Sequence, residues 1–408
     1  VAALWLWLAA PAALAQGEAL TLEAFLDFVA RGSPELAAAE QQQRIAAAEG
    51  RIASAYPNPE IELGGGPWRS RVGGTSGTAS TFGILQPLEL PSVREARIGA
   101  AAAELRAAAA KVSAARLAIG YQARQAYYDL LRRQEDERLA EENFRLLSDI
   151  QRRVLKRVEV GEAPRFELVR AESEALSAQN LLAAARLRVE EAKAVMRRLS
   201  GNRLPPAFEA AGALPAVPPQ PPLDVLQAEV LAAHPALAVL RAEAERARRQ
   251  LEQERALAAP QPGLRFQDAR DPEMRNATIG LTLTVPLWNR REGQIGRARA
   301  AIDLALAQLE QQRVQLLREL DSAYARLAIA QRQISTFEAG LLRSAETALE
   351  VAEAAYRFGE RSFLEVLDAQ RTVRALRADY NQVRFERIAA WLDIERLRAR
   401  DPFGTEKR

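Results

Sequence analysis

Two periodicities share the chain. Long stretches carry apolar residues at helical spacing among Ala, Leu, Arg and Glu; shorter stretches alternate apolar with polar or small residues. The first helical stretch opens at Thr21, a good N-cap residue, and runs to about Tyr56 with one break at Gly32-Ser33-Pro34. Pro57-Asn58-Pro59 ends it, since proline lacks a backbone donor and pushes the preceding residue out of helical geometry. Ile61 and Leu63 then alternate with polar neighbours up to Trp68, Gly73-Gly74-Thr75-Ser76-Gly77 makes a turn, and Phe82 and Ile84 alternate beyond it. This predicts two antiparallel strands at about 60–71 and 80–90. From Ser92 to about Arg157 the pattern is helical, and at 1.5 Å per residue that helix is roughly 100 Å long. A tight turn at 158–164, centred on Gly161-Glu162-Ala163-Pro164, leads to a returning helix that Ser200-Gly201-Asn202 ends. The proline-rich segment 201–222 reads as a linker without regular structure.

The pattern then restarts. A helix is predicted from Leu223 to Ala258, broken at His234-Pro235 as the first is at Ser33-Pro34. His234 reads as the residue that leads into the helix rather than as a ligand. Pro260-Gln261-Pro262 answers Pro57-Asn58-Pro59. Strands are predicted at about 263–270 and 277–287, the second marked by Ile279, Leu281, Leu283, Val285 and Leu287 in strict alternation. A second long helix from about Asn289 to Phe358 meets a turn at 358–362, and a last helix runs from Ser362 to Arg400. Matched landmarks such as Gly161 and Gly359, 198 positions apart, predict a tandem duplication: repeats at 16–200 and 223–400, joined by the linker 201–222 and followed by a tail, 401–408.

Composition narrows the function classes. With 56 basic and 53 acidic residues the net charge is only +3, so no nucleic-acid partner is expected. No cysteine and one histidine argue against thiol chemistry, disulfides and an ordinary zinc or iron site; no cofactor and no catalytic nucleophile–base set is expected. The apolar start with Ala13-Leu14-Ala15 before Gln16 reads as a signal peptide, 1–15, although it begins at Val1 without a positive region. No cysteine follows that cut, so a lipid anchor is not expected, and no later stretch is expected to form a transmembrane helix. Membrane insertion, if any, would be as β-structure.

The sharpest chemical feature is Tyr356 to Gln370, YRFGERSFLEVLDAQ. Gly359 and Glu360 break the helix, and Ser362 with Glu365 has the spacing of a capping box. Leu364, Leu367 and Arg371 follow one helical spacing; Glu365 and Asp368 share another face. The Ala-rich runs Ala100–Ala103 and Ala107–Ala110 allow close helix packing. A helix of roughly 100 Å must pack along its length, and four strands cannot close a barrel without further copies.

These residues carry a resemblance. Tyr56-Pro57-Asn58-Pro59, Gln86-Pro87-Leu88-Glu89-Leu90-Pro91, Val285-Pro286-Leu287-Trp288-Asn289-Arg290 and Tyr356 to Arg371, in a duplicated frame, resemble the outer-membrane efflux protein family, the TolC-like channels, over essentially the whole mature chain. The stretch VPLWNRREGQIGRA looks most like the heavy-metal efflux branch. The resemblance implies a mostly α fold with a small β part: a homotrimer forming a 12-stranded outer-membrane β-barrel continued by a 12-helix periplasmic α-barrel. It implies a passive exit duct, not an enzyme, exporting a metal ion or a drug. A periplasmic adaptor (membrane fusion protein) and an inner-membrane pump of RND type would be its partners. Glu365 and Asp368 match the pore constriction, where six carboxylates would favour cations, or they are solvated helix-face charges. Arg361, Tyr356, Arg170 and Glu167 are candidates for gate contacts at the tip, among them an Arg170–Asp368 or Arg361-centred ion pair. Gly161, Glu162, Gly359, Glu360 and Ser362 would form the tip turns that dock the adaptor. Trp68 and Trp288, at strand ends, suit a membrane interface or plain packing. The alternative is a periplasmic adaptor or a helical coiled-coil scaffold of such an assembly. An adaptor would carry a single hairpin, and a scaffold leaves the alternating strands unexplained.

Overall fold

The computed structural model describes residues 18–358 and 360–404. The predicted signal segment 1–15 and Gly359 lie outside the described residues. The chain order is β1 (Glu18–Leu20), α1 (Leu22–Gly32), α2 (Pro34–Ser54), β2 (Glu60–Arg69), β3 (Ser76–Pro87), α3 (Pro91–Glu159), α4 (Arg165–Leu199) and β4 (Phe208–Ala210). Then follow α5 (Leu223–Ala233), α6 (Pro235–Ala256), β5 (Gln261–Arg270), β6 (Arg275–Thr284), α7 (Glu292–Thr336), a π-helical turn (Phe337–Leu341), α8 (Leu342–Arg357) and α9 (Phe363–Leu397). Two helices, two strands, a long helix and a returning helix thus occur in that order twice.

The chain divides into two compact units. One comprises Ala38–Ala115 and Leu231–Leu316 and holds a four-stranded antiparallel sheet in the order β2-β3-β5-β6. The register is unbroken from Glu60↔Leu85 to Arg69↔Ser76, and from Gln261↔Thr284 to Arg270↔Arg275. Side chains in a strand alternate between faces, so this register collects Ile61, Leu63, Phe82, Ile84, Leu264, Phe266, Ile279, Leu281 and Leu283 on one face. Ile279 and Leu281 are nearly four-fifths exposed. The opposite face is mostly glycine, threonine and glutamine, with Glu60, Glu62, Arg265, Leu85 and Trp68. Strands β2 and β6 each keep one unpaired edge. The sheet is tied to its helices by arginines near the start of α3. Arg97 donates to Ala53 O and Ala55 O at 2.9 Å, and Arg94 to Ser54 O at 2.9 Å, satisfying carbonyls that the end of α2 leaves open.

The other unit takes its described residues from 18–37, 116–230 and 317–404. Phe25, Leu26 and Val29 of α1 are buried, and Phe25 stacks on Tyr127 of α3 at 6.3 Å. The Tyr127 hydroxyl lies 2.9 Å from Leu20 O and 2.6 Å from Ala211 O, so it donates between the two chain segments that β1 and β4 join. Burial raises its pKa, keeping the donor proton in place. Gly32 and Gly201 meet backbone to backbone: a Cβ on Gly32 would lie 2.3 Å from Ser200 O, and Gly201 has φ +62°. Buried Asn381 of α9 donates to Arg132 O at 3.0 Å and to Asp136 Oδ1 at 2.7 Å on α3, a polar layer that fixes the register of the two helices.

Several expectations are corrected. The linker 201–222 contains β4, which pairs in parallel with β1; three residues are too short to show alternation. The second long helix is not continuous, because Gly340 adopts φ 133° inside the π turn, a conformation other residues avoid. Strand β6 ends at Thr284, three residues before the predicted end, as the following Pro286 lacks the donor a ladder needs. Trp68 pairs with Gly77 on the face opposite the apolar one, so it does not suit the membrane interface; Trp288 lies outside the strand and is 95% exposed. One stretch, Leu223–Ala256, is long and apolar enough by composition to cross a membrane, contrary to expectation, but it is two helices broken at Pro235 with Leu226, Val230 and Leu237 buried.

Candidate functional site: the helical tips

Two turns define the site. The first follows α3, where Gly161 takes φ +80° and Glu162 N donates to Arg157 O at 2.8 Å, closing the helix end. Pro164 is the N-cap of α4 with extended backbone. The second follows α8, where Glu360 N donates to Ala355 O at 2.9 Å, a bond of the same span. Ser362 is the N-cap of α9, but its side chain makes no cap bond and the expected capping box does not form. For the carboxylate half of the box the reason is electrostatic: Glu365 accepts from Arg361 Nη1 at 2.5 Å instead of turning back to the cap.

The turns are held over an apolar cluster. Leu147, Val154, Ala171, Ala178, Phe363 and Leu367 are buried together, with Tyr356 packed against them. Leu364 does not share this face: it is exposed while Leu367 is buried, because the buried stripe of α9 runs Phe363, Val366, Leu367, Gln370. Tyr356 stands at the centre of the contacts. Its hydroxyl donates to Glu167 Oε2 at 3.2 Å, its ring lies 5.6 Å from Phe363, and the Arg157 guanidinium sits 5.0 Å above it. Burial and then the Glu167 carboxylate raise its pKa, so it remains a protonated donor.

Of the candidate residues, the structure brings Tyr356 to Glu167 and Arg361 to Glu365. Arg170 does not meet Asp368 within the chain. Asp368 has its side chain 85% exposed, and its ion-pair contact is Arg371 at 4.0 Å. Arg371 is engaged more closely by Glu174 of α4, a pair that sequence reasoning missed. Also missed is the buried amide pair in which Gln370 Nε2 donates to Asn143 Oδ1 at 3.3 Å. Gln370 stood out in the motif, but its partner lies 227 positions away. Gly161 and Glu162 occupy the first tip and Glu360 and Ser362 the second; Gly359 is outside the described residues. Among the described residues no group of three or more His, Cys, Asp or Glu could hold a metal ion.

A profile of the family described as outer membrane efflux protein matches residues 28–202 and again residues 226–399. The chain belongs to the outer membrane efflux protein family. It is 30% identical over 385 residues to the cobalt-zinc-cadmium resistance protein CzcC of Cupriavidus metallidurans, covering 93% of this chain and 90% of that protein. Among solved structures it is similar to CusC, with a TM-score of 0.78 and 18% identity over 92% of this chain and 91% of that one. The Campylobacter jejuni CmeC outer membrane channel matches with a TM-score of 0.80 and 17% identity over 95% and 87% of the two chains. The fold is therefore that of TolC-like channels, mostly helical with a small β part. The protein is an outer-membrane channel subunit of efflux systems, placed in the outer membrane and reaching into the periplasm. The adaptor and scaffold alternatives are not favoured. The family is one of transport channels rather than enzymes.

Proposed function

We propose that three copies form a passive exit duct for divalent metal cations, with no catalytic step of its own. The observation that carries the reading is the four-stranded sheet with an exposed apolar face and unpaired edges on β2 and β6. In hydrocarbon each unpaired peptide group costs several kcal/mol, so both edges must find partners. Pairing β6 of one copy with β2 of the next closes a cylinder, and three copies give the 12-stranded barrel that the family resemblance implies. The helices would continue it as a 12-helix periplasmic α-barrel. The twofold order of elements and the two profile matches support a tandem duplication at 16–200 and 223–400.

In this reading a periplasmic adaptor and an inner-membrane pump of RND type supply partner and energy, and the tips are the gate. Glu365 and Asp368, in three copies, would ring the constriction with six carboxylates, three of them tempered by Arg361. The Tyr356–Glu167 and Arg371–Glu174 contacts hold the two hairpins of one chain together, and docking of the adaptor on Gly161, Glu162, Gly359, Glu360 and Ser362 would release them. Metal cations as cargo rest on the likeness to the cobalt-zinc-cadmium resistance protein. The test is growth of the host, with and without this gene, on cobalt, zinc and cadmium salts and on a hydrophobic antibiotic. Metal sensitivity alone supports the reading. Sensitivity to the antibiotic alone overturns the cargo, and no sensitivity overturns the duct.

A further inference from the structure

On the apolar face of the sheet, the last side chains before the 271–274 loop are charged. Asp268 follows Phe266 on that face of β5, and Arg270 and Arg275, directly opposite each other in the register, follow Asp268. Arg270 donates to Asp268 Oδ2 from Nε and Nη2 at 3.1 and 2.8 Å. Arg275 donates to Oδ1 from Nε at 3.1 Å and to Oδ2 from Nη2 at 3.2 Å. One carboxylate, only 12% exposed, therefore orients two guanidiniums that stay 55% and 64% exposed. Two positive charges face one negative charge, and among the described residues no hydrogen bond engages Nη1 of either guanidinium.

The loop beside this pair is fixed. Asp271 Oδ1 accepts from Glu273 N and Met274 N at 2.9 and 2.8 Å, so its charge is spent on its own turn. Pro272 packs so close to Gly77 that a Cβ there would lie 2.5 Å from its Cγ. Strand β2, the other open edge, carries Arg69 at the matching end and no carboxylate beyond Glu62. Closing the sheet with another copy would bring no acid from that strand to Arg275.

We infer that Arg270 and Arg275, held by Asp268, form a binding site for a lipid phosphate of the outer leaflet, the phosphorylated glycolipid of the lipid A class. The site continues the apolar face, so acyl chains would lie against Phe266, Ile279 and Leu281 while a phosphate accepts from the guanidinium fork. The inference rests on the bilayer-spanning reading above. The helices join the hairpins at one end, which puts the 70–75 and 271–274 loops at the outer face.

The test is native mass spectrometry of the full protein, released from mild detergent after incubation with diphosphoryl lipid A or its dephosphorylated form. Wild type is expected to retain the phosphorylated lipid at least tenfold better than the dephosphorylated one. Arg270→Gln/Arg275→Gln should lose that preference, while Arg71→Gln in the neighbouring loop keeps it. Equal retention of the two lipids by wild type, or an unchanged preference in the double variant, overturns the site. The lipid comparison on wild type needs no variant. The same spectrum reports the number of chains. A wild-type monomer would overturn the barrel, yet phosphate-dependent lipid retained by it would still support the site.

Discussion

Removing the hydroxyl of Tyr356 is the most direct probe of the tip. Tyr356→Phe keeps the ring contacts with Phe363 and Arg157 and deletes one bond, the 3.2 Å donation to Glu167 Oε2 between α8 and α4. A hydrogen bond to a charged acceptor is worth about 1.5–3 kcal/mol, and this half-buried one belongs at the low end, about 1.5 kcal/mol. If that bond is made in the closed tip and broken in the open one, its loss shifts the equilibrium by roughly tenfold per chain. If three tips open together the terms add to about 4.5 kcal/mol, a shift of about a thousandfold or more. Single-channel recording in planar bilayers separates the two cases. Independent tips predict more frequent sub-conductance openings; concerted tips predict a channel that is mostly open. Glu167→Ala should act in the same direction, and combining it with Tyr356→Phe should add little, because both remove the same bond. An unchanged conductance in Tyr356→Phe and Glu167→Ala alike would refute the idea that this contact holds the tip.

Other consequences are open to measurement. Asn381→Leu strips donors from Asp136 Oδ1 and Arg132 O, and should lower stability by about 1–3 kcal/mol in thermal melts. Gly120→Ala forces a Cβ to within 2.2 Å of Pro402 Cγ and should cost about 1–3 kcal/mol, with earlier proteolysis of the C-terminal segment. Acidification has two opposed effects. Burial raises the pKa of Asp136, so its ionised form is a penalty that lifts as pH falls through the raised value. The hydrogen bond from Arg398 lowers that of Glu229, so its stabilisation is complete above the ordinary carboxylate range and is lost as pH falls below it. Melts from neutral to about pH 3 should therefore show a gain before a loss, and Glu229→Gln should blunt the loss.

Much of the fold was legible because its signals are local. Pro57-Asn58-Pro59 and Pro260-Gln261-Pro262 end helices by chemistry that no tertiary contact can override, and the Ile279–Leu283 alternation names its own exposed face. The 161 turn was legible from a glycine placed where φ must be positive. What escaped depends on partners distant in sequence. Strand β4 exists because Leu20 and Ala210 meet across most of the first repeat, and Glu174 gained meaning only when α9 brought Arg371 beside it. The capping box failed for a related reason. Glu365 could serve Ser362 or Arg361, spacing allows both, and the charge on Arg361 decides. Gly340 carried a readable signal, a glycine within a long helical pattern, but such a residue is compatible with an unbroken helix.

The central claim is that open sheet edges are closed by identical chains in the outer membrane. It is tested most directly by the mass of the detergent-extracted protein from the outer-membrane fraction, run with and without heating. The account predicts an unheated assembly of about three times the 44.9 kDa chain. Heating should collapse it to the monomer. A protein that stays monomeric and soluble without detergent would contradict it, and the barrel and the gate built on it would fall together.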